Sequence, residues 1–245
     1  MKSFGLTDKG AVRRDNQDSF ILEKCGNRLI VALCDGMGGA KAGGLASQLS
    51  NKAFVNYIYS RLTRGKIGLD YAEMLRTACA EANGVAYEYS RFDEAFNGMG
   101  TTIVGGVIKY NGNGYIINVG DSRAYHISRR SNSIYQITRD HSLVEELMEA
   151  GAITKEQART HPQKNVITRA LGTDTDVDCD YFEFSLQSGD VLLLCSDGLS
   201  NIVSDLEMLS CAKECREPES LCRALMTKAL SRGARDNVTV VAIMR

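Results

Sequence analysis

Short apolar stretches recur along the chain, some alternating with polar residues and some unbroken, and most are rich in β-branched residues. They predict strands near 19–22, 28–34, 101–109, 113–120 and 123–128, and again near 134–138, 181–185, 190–195 and 238–244. KYNGNGY at 109–115 has the turn chemistry of a hairpin and should join two of them. Other segments show a helical period instead. From about Gly44 to Leu62, the residues Leu45, Leu49, Ala53, Tyr57 and Leu62 approximate one face. A second long helix should run from about Asp70 to Arg91, opened by an Asp70…Glu73 capping box. The last should span about 218–232, with Pro218 suited to its first turn.

The stretch 142–170 is polar and helical, with capping boxes at Ser142…Glu145 and Thr154…Gln157 and a break at Gly151. It fits a lid or flap over a site, and equally an ordinary surface excursion. Strands dominate both ends, the connections are mostly of hairpin type, and no linker, repeat or low-complexity tract divides the sequence. This argues for antiparallel sheets covered by helices, a single layered α+β domain over 1–245.

Bulk properties narrow the partners. A formal net charge of −1 provides no basic footprint, so nucleic acid is a poor partner. No stretch reaches the ~18 consecutive apolar residues of a membrane span, and the N-terminus turns polar too early for a secretory signal. No membrane association and a cytoplasmic location are expected. Eight cysteines fit that reading as small buried hydrophobes, with Cys34 and Cys195 inside apolar runs. Cys211, Cys215 and Cys222 fall in a helical region and lack CxxC pairing, so packing is expected there rather than a metal or redox cluster.

Four aspartates stand at the ends of apolar runs beside residues that turn easily: Asp35 in LIVALCDGMGG, Asp121 in YIINVGDSRAY, Asp197 in VLLLCSDGLSN and Asp236 in ARDNVTVVAIM. A lone Asp-Gly is an ordinary turn pair; four acidic strand ends suit a hard-metal site built from several loops. Carboxylates with few histidines select Mg²⁺ or Mn²⁺ over zinc, and His126, His141 and His161 show no HExxH spacing. Two such ions ~3.5–4 Å apart could deprotonate a shared water and stabilise a transferring phosphoryl group. Glycine beside Asp35 permits a backbone carbonyl to join the ligands. Arg13 and Arg14 precede Asn16, Gln17 and Asp18; an arginine fork there could pair with phosphate, or the pair could be a solvated turn. The glycine-rich DGMGG and GMGTT lack the P-loop form. His141 reads as a buried anchor of the insert more than as a general acid, and His161, beside Pro162, as a transient substrate contact.

In this order the residues resemble the metal-dependent serine/threonine protein phosphatases of the PPM (type 2C) family, bacterial branch. The resemblance runs through GLTDKGAVRRDNQDSF, VALCDGMGG, GMGTTIVGGVI, NVGDSRAY, ITRDHSLVEELMEAGAIT, NVITRALG, GDVLLLCSDGLSN and RDNVTVV, essentially the whole chain. It implies a four-layer α-β-β-α sandwich, two central antiparallel sheets flanked by helices, with a helical flap at about 142–170 and metals in a cleft at one end. It implies that Asp35 bridges two divalent ions, Mn²⁺ or Mg²⁺, that the Gly36 carbonyl binds one, and that Asp197 and Asp236 complete the pair. Asp121 with Asp197 matches the place of a third, weaker metal. Arg13 rather than Arg14 matches the phosphate-binding arginine, Asp18 and Gln17 lie behind the metals, and Asn237 supports the last ligand.

The implied reaction is hydrolysis of phosphoserine and phosphothreonine in proteins by direct attack of a water bridging the two metals. Phosphorylated proteins are then the partners, opposed by a cognate serine/threonine kinase, and the chain is expected to be a monomer. One segment departs from the family's DGMGGHxxGExAS: here Ala40 stands for the histidine and Gly44 for the glutamate. The identity of a general acid is thereby open, and Lys41 either adds positive charge nearby or is solvated. Those two departures leave a competing reading, a catalytically weak or inactive PPM-fold regulatory module. Another keeps the metals and takes a small-molecule phosphate or a nucleic acid as substrate, the latter disfavoured by the lack of a basic stripe.

Overall fold

The computed structural model describes residues 1–38, 42–64 and 68–245; Ala40 and Lys41 lie outside the described residues. The strands are β1 (Lys2–Asp8), β2 (Asp18–Cys25), β3 (Arg28–Met37), β4 (Gly100–Thr101), β5 (Ile103–Lys109), β6 (Asn113–Val119), β7 (Arg123–Ser128), β8 (Ser133–Gln136), β9 (Asp180–Ser185), β10 (Val191–Cys195) and β11 (Val238–Met244). The helices are α1 (Ala42–Thr63), α2 (Tyr71–Phe92), α3 (Leu143–Glu149), α4 (Lys155–Thr160), α5 (Asp197–Ser200), α6 (Asp205–Glu214) and α7 (Pro218–Ser231). Two antiparallel sheets form, ordered β1-β11-β10-β7-β8 and β2-β3-β5-β6-β9, with β4 on β3. The predicted hairpin joins β5 to β6, its turn closed by the Gly112 amide donating to the Lys109 carbonyl at 2.9 Å.

Strand alternation sorts the side chains into layers. On β3, Leu29, Val31 and Leu33 join Leu192 and Leu194 of β10 and Val241 and Ile243 of β11 between the sheets. The intervening Ile30, Ala32 and Cys34 face α1 and α2. On the second sheet, Val191, Leu193 and Cys195, with Val238, Val240 and Ala242, face α6 and α7. The result is helix, sheet, sheet, helix, with three apolar interfaces. All eight cysteines are free thiols, and Cys211, Cys215 and Cys222 pack under the outer helices.

The periodicity misplaced one face. On α1 the buried side is Ala46, Ser50, Phe54 and Ile58 with Ser47, Asn51 and Val55; of the predicted face Leu62 is buried, whereas Leu45, Leu49, Ala53 and Tyr57 are only half-buried. Buried polar residues explain the shift: Asn51 donates to Ser19 Oγ at 2.6 Å, so a polar residue turns inward to bond β2. In the 142–170 insert, α4 carries the full Thr154/Gln157 capping box, while Ser142 caps α3 by accepting from Glu145 N at 3.4 Å. The stem of the insert closes on itself: Leu143 N donates to Val166 O and Thr168 N to His141 O, both at 2.9 Å.

Candidate metal centre

The acidic strand ends meet at one end of the sandwich. Asp18 opens β2 and stands directly across from Asp35 near the end of β3. Asp121 lies in the turn from β6 to β7, Asp197 follows β10, and Asp236 precedes β11. Asp35 feels the charges of Asp18, Asp197, Asp121 and Asp236, so residues from both sheets share one electrostatic site.

Backbone pairing and buried hydroxyls fix these side chains. Asp35 N donates to Thr102 Oγ1 at 3.0 Å, and the Asp35 carbonyl accepts from Thr102 N at 2.9 Å and Thr101 Oγ1 at 2.8 Å. Asp18 Oδ2 accepts from Ser196 Oγ and Thr239 Oγ1, each at 2.7 Å. Asn237 staples the N-terminal loop to β11: its Nδ2 donates to the carbonyls of Lys9 and Asp15 at 3.0 Å, its Oδ1 accepts from Gln17 N at 2.8 Å, and its own N–H donates to Asp236 Oδ1 at 2.9 Å. Gly36 N in turn donates to Gln17 O at 3.2 Å. Gly36 and Gly43 touch backbone to backbone; a Cβ on Gly36 would lie 2.0 Å from the Gly43 carbonyl oxygen, so α1 can begin beside Gly36 only while both are glycine. Gly44 has ordinary space, its nearest neighbour 3.7 Å from an added Cβ.

Thr101, Thr102, Ser196 and Thr239 were not singled out in the sequence. Their signal was faint, because Thr in a strand already reads as ordinary β propensity.

Asp35, Asp121, Asp197 and Asp236 are half-buried, so water softens their repulsion without removing it. Burial, then the charge of Asp18 and the other aspartates, pushes the Asp35 carboxyl well above the usual range. Burial, then Asp197 and Asp140, pushes Asp121 up to about 8 against the relief of Arg123. Burial, then Asp236 and Asp18, pushes Asp197 up to about 6. Asp18 is raised by burial, partly offset by its bonds from Thr239 and Ser196. Asp18 Oδ1 and Asp197 Oδ1 are buried without a hydrogen-bond partner. Crowded carboxylates with unpartnered oxygens are the donor set that a hard divalent cation neutralises, so the residues fit such ions. Among the described residues no three His, Cys, Asp or Glu side chains stand close enough together to hold a metal ion between them; Mg²⁺ is commonly bound by one or two carboxylates, because it keeps several waters.

Arg13 reaches this cluster through an ion pair with Asp236 at 2.8 Å, and both side chains stay partly exposed. Its bond to Asp236, then the Asp236 charge and those of Asp35 and Asp197, hold the guanidinium firmly protonated. His141 is a buried anchor: its Nδ1 accepts from Gly120 N at 3.1 Å, beside Asp121, and its Nε2 lies 3.3 Å from Asp180. His161 caps α4, and its Nδ1 accepts from Gln163 N at 3.1 Å. A cleft of about 810 Å³ opens from Asp121 and Asp197 toward α3 and α4; Ala158 and Arg159 line it, and His161 does not.

Residues 8–232 match the family profile described as Protein phosphatase 2C. A serine/threonine phosphatase stp from Listeria welshimeri is 38% identical over 240 residues, which cover 98% of this chain and 94% of that protein. The crystal structure of serine/threonine phosphatase Stp1 from Staphylococcus aureus superposes with a TM-score of 0.88 at 36% identity, covering 99% of this chain and 94% of that one. The catalytic domain of the serine threonine protein phosphatase PstP, solved in complex with two manganese ions, superposes at 0.82 with 33% identity, covering 98% and 96%.

Proposed function

The chain belongs to the protein phosphatase 2C family, and we propose that it is a metal-dependent protein phosphatase that hydrolyses phosphoserine and phosphothreonine. The observation that carries this reading is the gathering of Asp35, Asp121, Asp197 and Asp236 around one electrostatic site with Arg13 beside it. In this reading Asp35, Asp197, Asp236 and the Gly36 carbonyl would hold two divalent ions, Mn²⁺ or Mg²⁺, and Asp121 with Asp197 would hold a weaker third. When bound, the ions supply an acidified water as nucleophile and neutralise charge on the phosphoryl oxygens.

The protein's own groups then have distinct tasks. Arg13 offers a planar fork to the phosphate oxygens; its exposed side chain can turn from Asp236 to a substrate without disturbing the core. Asp18, fixed by Ser196 and Thr239, keeps Oδ1 available to accept from an ordered water. Asn237 and Gln17 hold the Arg13 loop against the start of β11, so the phosphate-binding group and the last ligand move together. No cysteine stands in a phosphate-binding CxxxxxR loop, and a direct displacement needs no covalent phosphoenzyme.

Phosphorylated proteins are the substrates in this reading, a serine/threonine kinase is the opposing activity, and the protein works as a cytoplasmic monomer. Among the described residues no helix is long and apolar enough to cross a membrane.

Phosphate release from a phosphothreonine peptide tests the proposal with Mn²⁺, with chelator, and with a folded Asp197→Asn variant. Chelator and substitution should each lower turnover by about a hundred-fold or more. Full turnover in either control, or trapping of a stable phosphoenzyme, would overturn it.

A further inference from the structure

The cleft that leads away from Asp121 and Asp197 is unevenly charged. On its floor, Asp140 is neutralised by Arg123 at 2.6 Å and also accepts from Gln136 at 2.8 Å. Glu149 of α3 is paired with Arg139. The α4 wall is cationic: Lys155 and Arg159 line the cleft, are exposed and form no ion pair among the described residues, as is also true of Lys164 just beyond the helix, while Glu145 and Asp205 line the cleft unpaired as well. Lys155 and Arg159 stand four residues apart on one helix and so share a face. Lys155 is the first residue of α4, where a cation opposes the helix dipole. Helix stability therefore does not account for it. At about 810 Å³ the cleft is also far larger than a phosphate needs, and lies toward the upper end of ligand-site volumes.

Resting on the phosphatase reading above, we propose that Lys155 and Arg159 form a specificity subsite for acidic residues flanking the phosphorylated serine or threonine. The phosphate sits at the aspartate end of the cleft, and the adjoining polypeptide runs along the α4 wall. Acidic side chains of the substrate supply the ion-pair partners that Lys155 and Arg159 do not find among the described residues, Glu156 of the same helix included. An acidic flank is favoured, a neutral one is neutral in effect, and a basic flank is repelled. Both groups are solvent-exposed, so each pair contributes modestly and its effect declines with salt.

The test measures kcat/KM in Mn²⁺ for three phosphothreonine peptides that differ only in flanks of Glu, Gln or Lys, with p-nitrophenyl phosphate as a flankless control. Wild type should favour the acidic over the neutral peptide by roughly three- to twenty-fold, the yield of two exposed ion pairs, and the ratio should shrink at high salt. A Lys155→Glu/Arg159→Glu variant should invert the preference, and Lys155→Gln/Arg159→Gln should abolish it, both leaving p-nitrophenyl phosphate turnover unchanged. Equal rates on all three peptides with wild type would overturn the subsite, as would a preference that survives both double variants. Loss of p-nitrophenyl phosphate turnover in the variants would also overturn it, by assigning these residues to the metal centre. Wild type inert toward every compound would instead sink the phosphatase reading itself.

Discussion

Asp35 carries the largest electrostatic burden in the molecule. It is hemmed in by four other carboxylates, and its main-chain N–H and carbonyl are tied to Thr101 and Thr102, so it cannot swing away. Without cations that arrangement opposes folding, because burial and like charge both disfavour the ionised form. Asp35→Asn should therefore stabilise the protein in chelator, by about 1 kcal/mol or 2–4 °C in Tm, while lowering turnover at least a hundred-fold. Calorimetry in chelator checks the first half, and an unchanged or lower Tm would show that repulsion is not a cost to the fold. The aspartates were legible in the sequence because each ends an apolar run beside a turn-forming residue. Their supports were not: Ser196 and Thr239 look like strand or turn residues until the fold brings them to Asp18, 178 and 221 positions away in sequence.

At the scale of elements, most strands and the long helices were legible from period and caps, and the misses have local causes. β1 was missed because only Phe4 and Leu6 alternate inward, with Gly5 between them. The face of α1 was misjudged because Ser47, Ser50 and Asn51 turn into the core. The insert's stem is where local structure meets the candidate metal centre, through His141, whose Nδ1 accepts from Gly120 N beside Asp121. Burial, then the nearby Arg169 and Arg139 charges, lowers the His141 pKa, and its contact with Asp180 offsets this only in part. The unfolded histidine titrates near 6.5, so just below that pH the unfolded chain holds the extra proton and the folded one does not. Stability should thus rise with pH up to about 6.5 and be independent of this group above it. His141→Gln should remove up to about 1.4 kcal/mol per pH unit of that slope. Urea melts of both proteins from pH 5 to 8 make the comparison, and the difference isolates the histidine because the carboxylates titrate in each. Parallel pH profiles would remove His141 as the titrating group.

For the whole molecule, periodicity alone indicated sheets covered by helices, but not which face of each strand met which layer. That sorting depends on long-range pairing: β3 shows ten consecutive residues with little polar contrast between the two sides, as a strand buried on both faces must. The same topology makes the candidate site a property of the closed sandwich. Asp35 comes from one sheet, Asp197 and Asp236 from the ends of β10 and the start of β11 in the other, and Asp121 from the turn that passes between them. Cations held by this set would tie the sheets to each other, and would bind the folded chain in a way the unfolded chain cannot match. At a hundred times Kd, Mn²⁺ should add about 2.7 kcal/mol to global stability, which for this size is roughly 5–10 °C in Tm. Hydrogen exchange distinguishes a global from a local effect. Amides that open only by global unfolding in β3 and β5 of one sheet, and in β10 and β11 of the other, should slow together by about a hundred-fold. Protection confined to one sheet would mean that the ions brace a single set of loops, and that the two halves of the sandwich do not meet through the site.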